Sequence, residues 1–256
     1  MLLASSCGKV PVQHDYGVFL SVTEDLEQLK DYKTVVIDAQ FFSAKEISDF
    51  KASGHEVFSY INIGSIENWR DYYDEDLTLS VYENWEEERW VDVSREEWQE
   101  FIVDDLIPEL LDKDIDGFFV DNCDVYYHYP TEEMMDGLTV MMKAMVDTGR
   151  KVIINGGDTY LDAYCASYGK WSDVITGINQ ESVFSAILWD EDKFGTADPD
   201  DHEYFTDYIE YYADQGADIY LLEYTTDENL IKEIDAYCKE KGFTYYVSDS
   251  LELTFG

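Results

Sequence analysis

Asp116-Gly-Phe-Phe-Val-Asp-Asn-Cys-Asp-Val-Tyr126 is the stretch that decides how this chain reads. Asp116-Gly117 is a turn signal, Phe118 to Val120 is a short apolar run, and the run stops at Asp121, Asn122 and Asp124. An apolar run of this length between turn residues reads as a buried strand. Charges are costly beside a core unless something compensates or uses them. A buried strand that ends in carboxylates therefore points to a working site at its C-terminal end.

The same unit recurs on both sides of it. Short apolar runs at 17–20, 34–37, 56–61, 118–120, 151–154, 174–178, 219–222 and 243–247 read as eight strands. Helical segments lie between them. Ser43 to Glu46 and Ser94 to Glu97 carry the capping-box pattern, and Gly54, Gly149, Gly216 and Gly242 stand where helices close. The segment 132–148 is Met-rich at helical spacing, a core pattern. Pro108 is expected to kink or divide the helix before Asp116. Residues 68–89 read as an irregular excursion with a short helix, and 189–201 as a polar loop. The strand runs are apolar throughout, as in parallel strands covered on both faces. Eight strands alternating with crossovers over 256 residues predict one α/β domain, a single (β/α)8 TIM barrel spanning 13–256. An open doubly wound sheet is disfavoured because no Gly-rich phosphate loop follows the first strand.

Charge excludes several classes of partner. Acids number 57 against 17 bases, a formal net charge of −40, which argues against nucleic acid and anionic membrane surfaces and favours a cationic ligand. No apolar run approaches the roughly 20 residues of a membrane span. The four cysteines form no CxxC pair and no disulfide framework. Leu3-Ala-Ser-Ser-Cys7 is similar to the end of a bacterial lipoprotein signal. Residues 1–12 are thus expected to be a signal remnant and linker, with a lipid anchor at Cys7 and an exported, extracellular or cell-surface location.

In a (β/α)8 barrel the active site lies at the C-terminal strand ends. Those ends carry Asp38, Asn62, Asp121 with Asn122 and Asp124, Asn155, Glu181, Glu223 and Asp249, and the aromatics Tyr60, Tyr126, Tyr127, Trp189 and Tyr224 stand near them. Acids and amides hydrogen-bond hydroxyls and aromatic faces stack on sugar rings, so the rim suits a glycan. Glycoside hydrolysis needs two carboxyls flanking the scissile bond. Asp121 and Glu181, on nearby strands, are the expected catalytic pair; Asp38, Tyr60, Asn62, Asn122, Asp124, Tyr126, Asn155, Glu223 and Tyr224 are the expected substrate contacts. Asp124 lies a turn further out and also reads as a local cap. The four histidines show no clustered spacing, so no zinc or iron site and no cofactor is expected, although a carboxylate rim could hold Mg²⁺ or Ca²⁺. A glycan-binding barrel lipoprotein without catalysis is the alternative.

Taken in order, Tyr60-Ile-Asn-Ile-Gly64, Trp69-Arg-Asp-Tyr-Tyr73, Trp90-Val-Asp-Val93, Asp116 to Tyr126, Asn155-Gly-Gly157 and Asn179-Gln-Glu-Ser182 resemble the motif series of glycoside hydrolase family 114. That resemblance implies a (β/α)8 barrel and endo-hydrolysis of α-1,4-linked galactosamine polymers, which are polycations near neutral pH. It further implies retention of configuration, with Asp121 as nucleophile and Glu181 as acid/base. Ser65 stands where relatives often carry an acid, with Glu67 following, and the acidic stretch 74–88 matches nothing in the series.

Overall fold

The computed structural model describes residues 14–255; Cys7 and the expected signal remnant lie outside them. Eight parallel strands form one sheet: β1 (His14–Val18), β2 (Tyr32–Ile37), β3 (Glu56–Asn62), β4 (Gly117–Asp121), β5 (Lys151–Asn155), β6 (Gly177–Glu181), β7 (Asp218–Tyr224) and β8 (Thr244–Ser248). Each pairs with the next in chain order. β8 lies alongside β1, which brings the sheet round into a nearly closed (β/α)8 barrel.

Alternation along the strands builds two apolar layers. Tyr16, Val18, Val36, Phe58, Phe119, Ile153, Tyr220 and Leu222 fill the barrel interior. Val35, Ile37, Val57, Ile61, Phe118, Val120, Val152, Ile154, Ile178 and Leu221 face the surrounding helices. Both strand faces are buried, which is why the runs read as continuously apolar. The Met-rich helix Glu132–Asp147 turns Met134, Met135, Met141, Met142 and Met145 into the outer layer. Ser43 and Glu46 form the capping box of the helix Ala44–Ala52, and Gly242, at φ 76°, closes the helix Glu228–Lys241.

Several local expectations are corrected. The short helix of segment 68–89 is a single 3-10 turn, Glu75–Leu77, and the rest is not irregular: Ser65–Glu67, Thr78–Val81 and Glu88–Val91 form a three-stranded antiparallel sheet beside the barrel mouth. The acidic run 83–88 obscures the β-forming residues around it. The polar loop after β6 is a hairpin of Ser185–Leu188 with Lys193–Thr196, turned at Asp192 (φ 48°). Ser94 does not cap its helix, because its hydroxyl donates to Asp92 instead. The helix after it passes through a π-helical stretch, Phe101–Leu106, immediately before Pro108; proline lacks the N–H and crowds the carbonyl four residues back, so the wider turn relieves it. Segment 23–30 forms only one 3-10 turn, Leu26–Leu29. The sixth strand lies later than 174–178, because its inward residues are polar: Asn179 is fully buried inside the barrel.

Candidate active site

Strand alternation aims the site. On β4, Phe119 points into the barrel, so Asp121, two residues on, points into its mouth. By the same step Asn155 follows Ile153, Tyr224 follows Leu222, Tyr60 follows Phe58 and Asp38 follows Val36. Glu181 follows Asn179, whose amide lies inside the barrel. Register brings these residues to one level, with Asn62 opposite Asp121, Asn155 opposite Asn179 and Leu222 opposite Glu181. At three successive strands the chain then turns away through a left-handed residue: Asn122 (φ 65°), Gly156 (φ 60°) and Ser182 (φ 55°). L-residues adopt this conformation at a cost, Asn least of all. A second close approach locks the mouth, since a Cβ on Gly64 would sit 1.7 Å from the Asn122 carbonyl oxygen.

One amide joins the two carboxylates. Asn155 Nδ2 donates to Asp121 Oδ1 at 2.9 Å and to Glu181 Oε1 at 2.7 Å. The orientation of that amide is set from below, because Asn155 Oδ1 accepts from Asn179 Nδ2 at 2.7 Å and Asn179 Oδ1 accepts from the Tyr16 hydroxyl at 3.2 Å. The Asn155 nitrogen must therefore face the acids. Two hydrogens on one nitrogen diverge by about 120°, which sets the two accepting oxygens roughly 5 Å apart. Tyr224 donates its hydroxyl to Glu181 Oε2 at 2.8 Å. Burial and then the neighbouring Glu181 charge raise the Asp121 carboxyl well above its usual range. Burial also raises Glu181, opposed by the hydrogen bonds from Asn155 and Tyr224. Two such acids share a proton more readily than they both ionise.

Around the pair lies a cleft of about 610 Å³. Among the described residues its carboxylates are Asp38, Glu67, Glu87, Glu88, Asp121, Asp124, Glu181 and Glu252, against a single cation, Arg70. That cation is already neutralised: Nη1 holds Asp38 at 2.7 Å, and Nε and Nη2 hold Glu67 at 3.0 and 2.9 Å. Glu88 receives hydrogen bonds from Asn62, Ser65 and Asn122. Exposed aromatics edge the cleft. Phe41 stacks on Trp69 with ring centroids 6.0 Å apart, and Trp85 meets Trp189 edge-on at 6.2 Å.

Of the residues singled out from sequence, Asp38, Tyr60, Asp121, Asn122, Asp124, Asn155, Glu181 and Tyr224 line the cleft. Asn62 is buried beneath it, with its amide held by Ser65 and Glu88. Glu223 is a correction. It lies one residue out of step with Tyr224, faces away from the mouth and is fully buried, accepting from the backbone N–H groups of Val183, Phe184 and Ser185 and from the Ser185 hydroxyl. Tyr126 is another; its ring packs edge-on against Tyr160 behind the mouth, and Tyr127 likewise lies outside the cleft. Asp124 does not cap its own helix, Val125–His128, but accepts from the Gly157 N–H at 3.2 Å; burial and the Asp158 charge push it up to about 6. His14 begins β1, at the end of the barrel opposite the mouth, and stacks on Tyr32. Glu88, Arg70, Tyr82 and Trp85 reach the cleft from the side sheet and its connections, and of these only Arg70, within Trp69-Arg-Asp-Tyr-Tyr73, lies in a motif legible in the sequence. Among the described residues no three His, Cys, Asp or Glu side chains are arranged to hold a metal ion, and no helix is long and apolar enough to cross a membrane.

A parallel (β/α)8 barrel with two half-buried acids bridged at its C-terminal mouth has the architecture of a glycan-cleaving enzyme. The family model of glycoside-hydrolase family GH114 matches residues 5–252, and the chain belongs to that family as a glycoside hydrolase. Solved structures agree on the fold. The chain is similar to the glycoside hydrolase domain of PelA from Pseudomonas aeruginosa, at 17% identity and TM-score 0.76, covering 93% of this chain and 95% of that one. It is also similar to Aspergillus fumigatus Ega3 in complex with galactosamine, at 14% identity and TM-score 0.72, covering 98% and 97%. An α-galactosidase from Thermus thermophilus in complex with stachyose is 12% identical with TM-score 0.61, covering 96% of this chain and 63% of that one. A search among curated protein sequences finds no significant match.

Proposed function

We propose that this glycoside hydrolase cleaves α-1,4-linked galactosamine polymers internally and with retention of configuration. The observation that carries the substrate class is the cleft itself, where among the described residues eight carboxylates face one cation that is already paired. Such a wall repels anionic glycans and leaves charge unsatisfied against neutral ones, whereas a polymer of amino sugars brings an ammonium on every ring. The net charge of −40 draws the same polymer from solution, and Ega3, similar in fold, binds galactosamine.

The spacing of the pair supports retention. Carboxyl groups about 5–5.5 Å apart suit a nucleophile, whereas inversion needs roughly 6.5–9.5 Å to admit a water. Asp121 attacks the anomeric carbon while Glu181 protonates the departing oxygen. Glu181, now a carboxylate, then takes a proton from the water that releases the sugar from Asp121. Asn155 holds the two acids at working distance, and Tyr224 orients Glu181 by its second oxygen. Export with a lipid at Cys7 completes the proposal; Leu3 to Cys7 supports it, and loss of lipid labelling in Cys7→Ser tests it.

The deciding experiment is product analysis on galactosamine, glucosamine and neutral galactan polymers, with Asp121→Asn and Glu181→Gln as controls. Cleavage of the galactosamine polymer alone, lost in both variants while their melting transitions persist, is the expected outcome. Equal cleavage of neutral galactan would refute the substrate class, and an inverted anomer among the first products would refute retention.

A further inference from the structure

Glu88 is one of the cleft carboxylates that belong neither to the catalytic pair nor to the Arg70 network. It arrives on the side strand Glu88–Val91, from a stretch unlike the family motifs. One of its oxygens, Oε1, takes donors from three separate places: Asn62 at the end of β3 (2.8 Å), the Ser65 hydroxyl and Asn122 after β4 (3.1 Å). Its other oxygen, Oε2, accepts no hydrogen bond from any described residue, although the side chain lines the cleft. Arg70, the one cation lining the cleft among the described residues, is bonded to Asp38 and Glu67. Three donors clamp the group in place, and its charge is left facing the cavity.

Its position relative to the reacting acid is set by Asn122, whose Nδ2 lies 3.1 Å from Glu88 Oε1 and 3.4 Å from Asp121 Oδ2. Those two oxygens are therefore no more than about 6.5 Å apart, and the free Oε2, about 2.2 Å from Oε1 in the same carboxylate, is no more than about 8.7 Å from Asp121 Oδ2. In a pyranose the anomeric carbon and a nitrogen on the next ring carbon are about 2.5 Å apart. An attack distance of roughly 3 Å at one end and a charged hydrogen bond of about 2.8 Å at the other span that gap.

We propose that Glu88 binds the 2-ammonium of the sugar whose anomeric carbon Asp121 attacks, and so selects a free amine over an N-acetyl group at that one position. This rests on the hydrolase reading above and sharpens it from a cleft that favours amino sugars to one residue that reads one ring. An acetamide has no charge for Glu88 and adds bulk beside a clamped side chain. The preference applies to the ring that becomes the new reducing end and to no other ring.

The test uses the full chain and a partially N-acetylated α-1,4-galactosamine polymer, with products read by mass spectrometry for acetylation at the new reducing end. Glu88→Gln keeps an acceptor for Asn62, Ser65 and Asn122 but removes the charge. Wild type is expected to release products with a free amine there, and E88Q to lose that preference about ten- to hundredfold. A variant slowed equally on both kinds of ring, with product ends unchanged, would assign Glu88 to positioning and overturn the proposal. So would wild-type products whose ends match the mean composition of the polymer. If E88Q turns over too slowly to analyse, equilibrium binding of galactosamine and of N-acetylgalactosamine reads the same preference: selective loss of the former supports the proposal, and equal loss of both overturns it. A wild type that cleaves no galactosamine polymer at all would instead sink the proposed function.

Discussion

Replacing Asn155 with alanine removes the one group among the described residues that hydrogen-bonds both acids. Each of its bonds, 2.9 Å to Asp121 and 2.7 Å to Glu181, favours the charged form of its partner and so opposes the rise that burial imposes on both carboxyls. A hydrogen bond to a charged group contributes on the order of 1.5–3 kcal/mol, and one pKa unit corresponds to about 1.4 kcal/mol. Losing the donor should therefore move each ionisation of the pair upward by about one unit. The repulsion between the acids persists: at roughly 5 Å and an effective dielectric of about 20 it is near 3 kcal/mol, enough to keep the two steps about two units apart. The pH–rate profile thus keeps its bell shape while both limbs shift to higher pH. The loss of alignment lowers kcat by a further ~10- to 100-fold at the optimum. The assay is kcat/KM against pH on a soluble galactosamine oligomer, with thermal melts to verify the fold. An optimum that stays in place, or moves to lower pH, would refute the claim that this amide tunes the pair.

Three further outcomes follow from the same structure. Glu223→Ala strips the acceptor from three backbone N–H groups and a hydroxyl in the β6–β7 connection; each buried donor left unpaired costs about 1–3 kcal/mol, so denaturant titration should show a loss of at least about 3 kcal/mol. A loss under 1 kcal/mol would mean the loop is held otherwise. Asp124 has a folded pKa of about 6, above its ordinary value, so the folded chain binds that proton more tightly. Its contribution to stability falls as pH rises through about 4 to 6 and stays lower above that range. Asp124→Asn, which keeps an acceptor for the Gly157 N–H, should melt above wild type at pH 7, by a margin on the order of 1–2 kcal/mol for this partly exposed group, and equal it below about pH 4. A constant offset at every pH would assign the effect to packing. Finally, kcat/KM on a cationic galactosamine polymer should fall several-fold as salt rises from about 20 to 500 mM; insensitivity to salt would remove electrostatic steering.

The barrel was legible because parallel strands covered on both faces leave a simple trace: eight short apolar runs, all but the first ending at or near Asp, Asn or Glu. That trace located Asp121, Asn155 and Glu181, because a strand's C-terminal end is a local property. It misplaced Glu223, since a rule based on strand ends ignores which way each residue faces. Alternation sends Tyr224 into the mouth and Glu223 behind it, one step apart in sequence. The edge of the sixth strand was misjudged for a related reason: a barrel interior that holds Asn179 on a Tyr16–Asn155 relay does not look apolar.

The stretch Asp116–Tyr126 by itself determined that a buried strand delivers a carboxylate to a surface, and the rhythm around it determined the fold. The tertiary structure alone decided what surrounds that carboxylate. Asn155 and Glu181 reach Asp121 from 34 and 60 positions later in the chain, and Glu88 comes from a side sheet hidden within an acidic run. Hydrogen bonds between such distant positions depend on register and barrel closure. Neither is written in a local pattern of residues, since both arise only when all eight strands pack against one another.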